Sequence, residues 1–257
     1  MAYKKLKLWF DKELAEMLAD KLLVHISTFN KTSFVKAIDK KTAKLELKDR
    51  IEVIADELRN HLTDNYKENS SILTQILGPE NEEETGMFTN FYWIMPIAKY
   101  VEKYGINDFD TSMELIEEIT KRNTGEYTIR PFIEAYPQKT MLKMVEWSTN
   151  SNKHIRRLSC EGGRPRLPWA TKLDIFIKDP LPLLPILNNL KDDQSKYVQK
   201  SVANCLNDIL KDNKVIAVQL IEEWKIENMS KERKWIIKHA LRNLLKNGDV
   251  WAIDIVK

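Results

Sequence analysis

The chain has 257 residues, 43% of them hydrophobic and 31% charged, with a formal net charge of +3; that is enough chain for a substantial core and an ordinary globular mixture, not a disordered one. Glycine is scarce, at 7 residues, where a soluble average of roughly 7% would give about 18. The shortage favours helices, and with neither GxGxxG nor GxxxxGK[ST] in the chain it argues against dinucleotide-binding and P-loop chemistry. In chain order, Leu6, Leu8, Trp9, Phe10, Leu14, Leu18 and Leu22 recur at near-helical spacing, which predicts a helix over 6–24 rather than a signal peptide. A second helix is predicted over 32–39. A third covers 45–64, where Leu45, Leu47, Ile51, Ile54, Leu58 and Leu62 step by two to four. A short helix near 70–77 precedes an acidic run, Pro79 to Glu84, which reads as a solvated surface loop. Residues 89–104 read as a buried helix interrupted by Pro96. Helices near 110–122 and 125–136 follow, the second kinked or broken at Pro131.

From about residue 138 the pattern repeats. A helix ending near Trp147 is followed by a polar turn, Ser148 to Asn152, and a helix opening at His154. A helix ending at Leu190 is followed by a polar turn and Tyr197-Val198. A helix ending at Trp224 is followed by a polar turn and Trp235-Ile236. Ile155 and Val198 are 43 residues apart, and Val198 and Ile236 are 38 apart. Paired helices at a period near 40 are the mark of HEAT-type repeats, whose faces are buried only by stacking. The expectation is therefore an all-α fold, a curved α-solenoid of HEAT-like helical repeats in one domain over 1–257. Residues 1–137 form an N-terminal helical part and 138–257 three more regular repeats, with Trp147, Trp224 and Trp235 in the core.

One stretch breaks the helical pattern. Glu161 to Trp169 holds two glycines and two prolines in nine residues and reads as a special backbone presenting Arg164, Arg166 and Trp169 to a ligand. The window 150–172 carries six basic residues, Lys153, Arg156, Arg157, Arg164, Arg166 and Lys172, against the single acid Glu161, a local net charge of +5. Elsewhere the chain offers little to other chemistries. Cys160 and Cys205 make neither a disulfide framework nor a CxxC site, and His25, His61, His154 and His239 are scattered, so no metal site is expected. No run of 18 uncharged apolar residues occurs, so no transmembrane helix is expected and a reducing cytoplasm is the natural location.

The run His154 to Ala170, with its RRLxxEGxRPRLPW-like core, resembles the signature of the AlkC-like DNA alkylation repair glycosylases. Glu126 to Ile133 and Leu45 to Arg50 are similar to two further motifs of that family, so the resemblance spans about residues 5–250. It implies a HEAT-like helical fold shared with the AlkD glycosylases. It also implies hydrolysis of the N-glycosidic bond of cationic N-alkylated bases such as 3-methyladenine in double-stranded DNA, as the first step of base excision repair, with no metal or organic cofactor. On motif match it assigns catalytic roles to Glu126, Glu161 and Arg157 and a lesion contact to Trp169. Charge alone assigns Arg164 and Arg166 to backbone phosphates, together with Arg156, Lys153 and His154. A monomer acting on DNA in a bacterial cytoplasm is the matching expectation. Some members carry an additional C-terminal immunoglobulin-like domain; the sequence given ends at Lys257 without a strand-rich tail, so any DNA contact from such a domain is expected to be missing, which bears on affinity rather than on chemistry.

The chemistry asks for these residue types. A cationic base leaves without acid assistance. The sugar that remains develops oxocarbenium character, which a carboxylate stabilises while it orients water. An arginine keeps that carboxylate ionised, and an indole offers a flat face to the cationic base. Arg157 and Glu161 are also spaced i, i+4, as a surface ion pair would be, though in the less favourable order. Glu126 stands four residues before Arg130, the favourable order for a simple pair. The competing reading is a HEAT-repeat module that recognises DNA or a protein without cutting.

Overall fold

The structure, a computed structural model, describes residues 4–257, whose regular elements are all helices, with no strand among the described residues. The chain forms two compact units, the first ending at Thr128 and the second running from Ile129 to Lys257. No helix among the described residues is long and apolar enough to cross a membrane.

The first unit contains α1 (Lys12–Leu23), α2 (Lys31–Thr42), α3 (Leu47–His61), α4 (Tyr66–Gln75), α5 (Met95–Tyr104) and α6 (Phe109–Thr120). Helix α1 packs on α2, α2 on α3, α3 on α5, and both α4 and α5 on α6. Caps set the boundaries. Asp11, Asn30, Asn65 and Asp108 each accept a backbone N–H of the turn that follows, which satisfies one of the orphan donors of a helix start. The Asp11 cap divides the helix expected over 6–24 into a 3-10 turn, Leu6–Trp9, and α1. Pro96 does not interrupt a helix: it lies in the first turn of α5, where a missing N–H costs nothing. Arg50 is 5% exposed and donates to the carbonyls of Leu45, Phe10 and Ala43 at 2.8, 3.1 and 3.3 Å.

The second unit opens on α7 (Arg130–Ala135), where Pro131 again sits in the first turn and starts the helix instead of kinking it. Then come α8 (Pro137–Trp147), α9 (Lys153–Glu161), α10 (Asp174–Lys178), α11 (Leu184–Leu190), α12 (Lys196–Asp212), α13 (Lys214–Trp224), α14 (Lys231–Ala240), α15 (Arg242–Lys246) and α16 (Val250–Val256). The polar turns of the repeat become caps: Asn152, Ser195 and Ser230 open α9, α12 and α14. The repeat positions Ile155, Val198 and Ile236 are all fully buried. Helix α12 is the centre of this unit, packing on α9, α11, α13 and α14.

Trp147 and Trp224 are core residues as expected, and the Trp224 indole N–H donates to Asn188 Oδ1 at 2.7 Å. Trp235 is not. It is half-exposed, stacked on His239 at 4.7 Å with the Lys196 ammonium over its ring. The acidic run is also more than a solvated loop. Glu82 and Glu83 are exposed, but Asn81 is buried, its N–H donating to Lys121 O at 2.9 Å and its amide to Thr85 O.

Candidate active site

Glu161 is the last residue of α9 and is 6% exposed. A carboxylate so placed needs donors, because an unpaired buried charge costs several kcal/mol. It has three. Arg164 Nη1 donates to Oε1 at 2.7 Å, Arg157 Nη2 lies 3.6 Å from the same oxygen, and Ser201 Oγ on α12 donates to Oε2 at 2.7 Å. Burial pushes this carboxyl upward, but the two guanidiniums and the Ser201 hydroxyl outweigh it and hold Glu161 below its ordinary value. Glu161 is thus a nearly buried carboxylate whose partners favour its ionised form. The Arg157–Glu161 pair is not the surface pair its spacing also allowed, since neither side chain is more than 14% exposed. The Arg157 guanidinium also lies over the Tyr197 ring, 4.8 Å from its centroid.

Arg164 departs from the phosphate role that its charge suggested. It is 7% exposed and bridges two carboxylates, Glu161 and, through Nε at 3.0 Å, Asp208 of α12. Those two acids raise its pKa further despite burial. Its neighbours are committed in the same way. Arg156 forms a two-pronged pair with Asp193 at 2.6 and 3.2 Å and donates to the carbonyls of Asn150 and Ser151. Arg166 forms another with Asp212 at 2.7 and 2.6 Å. His154 is 1% exposed, its ring edge-on to Tyr197 at 5.6 Å, while its backbone N–H is capped by Asn152. Lys153 is half-buried at the start of α9. The local +5 is therefore largely neutralised by Asp193, Asp208 and Asp212, acids about 40 residues away in sequence that the stacking of α12 on α9 brings back.

The glycine pair has a different cause from the one its rarity suggested. Gly162 has φ −62°, an ordinary helical value. A Cβ there would stand 2.5 Å from Ile129 Cγ2, and one on Gly163 would stand 2.8 Å from Leu183 Cδ2. The glycines permit close packing of α9 against its neighbours. The left-handed backbone falls instead on Trp169, at φ +66°, with 81% of the residue exposed. That conformation costs an L-residue about 1–2 kcal/mol and persists only where its surroundings enforce it. The enforcement comes from Arg130, 4% exposed, whose Nη1 donates to Gly162 O and Arg164 O at 3.0 Å each and whose Nη2 donates to Thr171 O at 2.6 Å. One guanidinium ties both ends of the loop, with Leu167 buried as its apolar foot. Sequence reasoning did not assign Arg130 this role; it stands in the second motif, where Glu126 drew attention first.

Glu126 belongs to the first unit, in the segment after α6, and is 6% exposed. Thr124 Oγ1 donates to its Oε2 at 3.0 Å, and Asn123 fixes the turn by donating to Met87 O and Phe91 O at 2.9 Å each. Cys160 and Cys205 are buried free thiols, and Cys205 is pushed well above its ordinary value by its hydrogen bond with Cys160 and by burial. Among the described residues there is no cluster of three His, Cys, Asp or Glu able to hold a metal ion.

An all-helical repeat protein with an ionised carboxylate buried beside a fixed aromatic loop matches one class. The chain belongs to the DNA alkylation repair enzyme family, whose model matches residues 50–244. Among known proteins it is similar to the uncharacterized protein YhaZ of Bacillus subtilis (strain 168), 34% identical over 251 residues, 97% of this chain and 67% of that one. Among solved structures it is similar to the Pseudomonas fluorescens alkylpurine DNA glycosylase AlkC bound to DNA containing an abasic site analog. That match has a TM-score of 0.88 at 33% identity and covers 99% of this chain and 68% of the other.

Proposed function

We propose that this protein is a DNA glycosylase that hydrolyses the N-glycosidic bond of cationic N-alkylated bases, of the 3-methyladenine type, in double-stranded DNA. The observation that carries the reading is Glu161, a buried carboxylate kept charged by Arg157, Arg164 and Ser201. The family and the likeness to a DNA-bound alkylpurine glycosylase support it. The C1′–N bond breaks with its electron pair going to the base, which leaves neutral. The sugar is left as an oxocarbenium ion. A fixed anion in a low-dielectric setting stabilises that charge and accepts a hydrogen bond, then a proton, from the attacking water. Arg157 holds the carboxylate, and Trp169 offers its indole face to the lesion. Glu126 is the second carboxylate of the reading. A monomer needing no metal or organic cofactor completes it.

The test is release of free methylated base from methylated duplex DNA with a chelator present throughout. Metal-independent release is the expected result. Duplex binding without release would overturn the hydrolysis and leave a recognition module.

Trp169 yields a prediction of opposite signs. Trp169→Gly removes a backbone penalty of about 1–2 kcal/mol and also the indole. The urea midpoint is expected to hold or rise while lesion binding weakens. A lowered midpoint with unchanged lesion affinity would make Trp169 a structural residue.

A further inference from the structure

Arg156, Arg164 and Arg166, which charge assigned to backbone phosphates, each hold an internal carboxylate, so further positive surface of the second unit is sought beside them. The repeat register points to it. With Ile155, Val198 and Ile236 equivalent, Arg157 corresponds to Lys200, and Glu161 corresponds to Asn204 and then to Arg242. The position that holds the buried carboxylate on α9 thus carries a cation two repeats on, at the start of α15 just after α14, with α12 packed against both α9 and α14.

Around it, Lys196, Lys200 and Arg242 gather without an ion pair among the described residues, the nearest acids in effect being Glu232 toward Lys196 and Asp208 toward Arg242. Arg242 donates to His239 O at 2.7 Å and to Asn204 Oδ1 at 3.0 Å. Lys196 donates to Gln199 at 3.1 Å and lies over the half-exposed Trp235 ring, on which His239 stacks. Lys200 is exposed. None of the four is ion-paired among the described residues, whereas Arg156, Arg164, Arg166 and Arg233 of the same unit all hold a carboxylate. The crowding shows in the titrating groups. Burial together with Arg242, Lys196 and Lys200 lowers the His239 imidazole, and burial together with Lys200 lowers the Lys196 ammonium, with Glu232 opposing. Like charges held together at a cost are the complement of an anion that joins them.

We propose that Lys196, Lys200, His239 and Arg242 form a phosphate-binding site for the sugar–phosphate backbone of a DNA strand, next along the repeat from Glu161. Arg242 supplies a planar fork for phosphate oxygens, and the lysines supply point charges on either side. The Lys196–Trp235 contact fixes one of those charges at reduced entropic cost. The proposal rests on the DNA reading of the preceding subsection and adds the surface by which the strand is held.

The experiment is a salt titration of binding to an undamaged, end-labelled duplex, comparing wild type, Lys200→Gln, Arg242→Gln and the double variant, with Lys246→Gln as the control. The double variant is expected to bind roughly tenfold more weakly at low salt and to lose about 2 from the slope of log K against log salt. Arg242→Lys is expected to restore part of the loss, and the control to match wild type. The exposed Lys200 keeps the test valid should Arg242→Gln fail to fold. Lys200→Gln, at an exposed position, is expected to keep the wild-type urea midpoint, so that its lost slope reads the surface and not the fold. Wild-type slope in both single variants would overturn the phosphate site while leaving the DNA reading intact. Failure of the wild type to bind any duplex would overturn both.

Discussion

Glu161→Gln lowers the rate of base release at saturating methylated duplex by about 10²–10³-fold, the usual loss when one preorganised electrostatic partner of the transition state is removed. The substitution is close to isosteric. The replacement amide keeps one oxygen for Arg164 Nη1 or Ser201 Oγ, and Arg164 keeps Asp208. What disappears is the negative charge, and with it the field that favours an oxocarbenium ion and the base that accepts a proton from water. Glu126→Gln, in the first unit, is expected to slow release to a smaller extent. Full wild-type rates in both variants would remove the carboxylates from the chemistry. The pH profile separates charge from shape. Glu161 in the folded protein sits below its ordinary value of 4.5, burial being outweighed by its guanidiniums and Ser201. Its ionised form therefore survives as the pH falls past 4.5, and the stability it contributes is present above that value and lost only as pH drops through the lower folded one. The acid limb of release should lie below pH 4.5, and the Gln variant should lack that limb.

The sequence made the helices and the repeat legible because both follow from local rules. Ile155, Val198 and Ile236 recur at the repeat period, and each is fully buried. The polar turns before them supply the caps Asn152, Ser195 and Ser230. Where prolines were read as breaks, at Pro96 and Pro131, the first turn of a helix accommodates them. The carboxylate Glu161 and the loop carrying Trp169 were also legible, from the motif and from the cluster of glycine and proline. The roles of the arginines were not. A charge count over neighbouring residues cannot include Asp193, Asp208 and Asp212, which arrive only when α12 stacks on α9. Glycine rarity marked this loop as a special backbone, but the cause differs, since crowding by Ile129 and Leu183 excludes a side chain at Gly162 and Gly163, and the left-handed residue is a tryptophan.

The three stretches that carried the family resemblance share a feature that only the structure exposes. Each contains an arginine that is almost fully buried: Arg50, Arg130 and Arg164. Arg50 and Arg130 each donate to three backbone carbonyls in segments without regular hydrogen bonding. Only a guanidinium has enough donors, in a fixed plane, to satisfy three carbonyls at once. The repeat stacks its helices by apolar contact and fixes its irregular connections by buried arginine. Lys196 and Lys200 of α12 and Arg242 of α15, by contrast, are in no ion pair among the described residues.

Arg164→Met tests how far this internal pairing supports both fold and chemistry. The substitution leaves Glu161 with Arg157 at 3.6 Å and Ser201, and leaves Asp208, 2% exposed, with Lys211 at 3.5 Å. Removing the shared partner of two buried carboxylates costs roughly 3–5 kcal/mol, because their desolvation persists after the attraction is gone. Urea denaturation followed by far-UV circular dichroism should show the midpoint drop. Arg166→Met, which breaks the more exposed pair with Asp212, should lower it far less. A chemical signature should accompany the loss. Arg164 is one of the two guanidiniums that hold Glu161 below its ordinary value, so without it the carboxyl rises and the acid limb of base release shifts to higher pH. Arg164→Lys should recover part of the stability, since an ammonium replaces the charge but cannot hold Glu161 and Asp208 with the same fork. An Arg164→Met protein with wild-type midpoint and an unmoved acid limb would show that Arg157 and Ser201 alone keep Glu161 ionised.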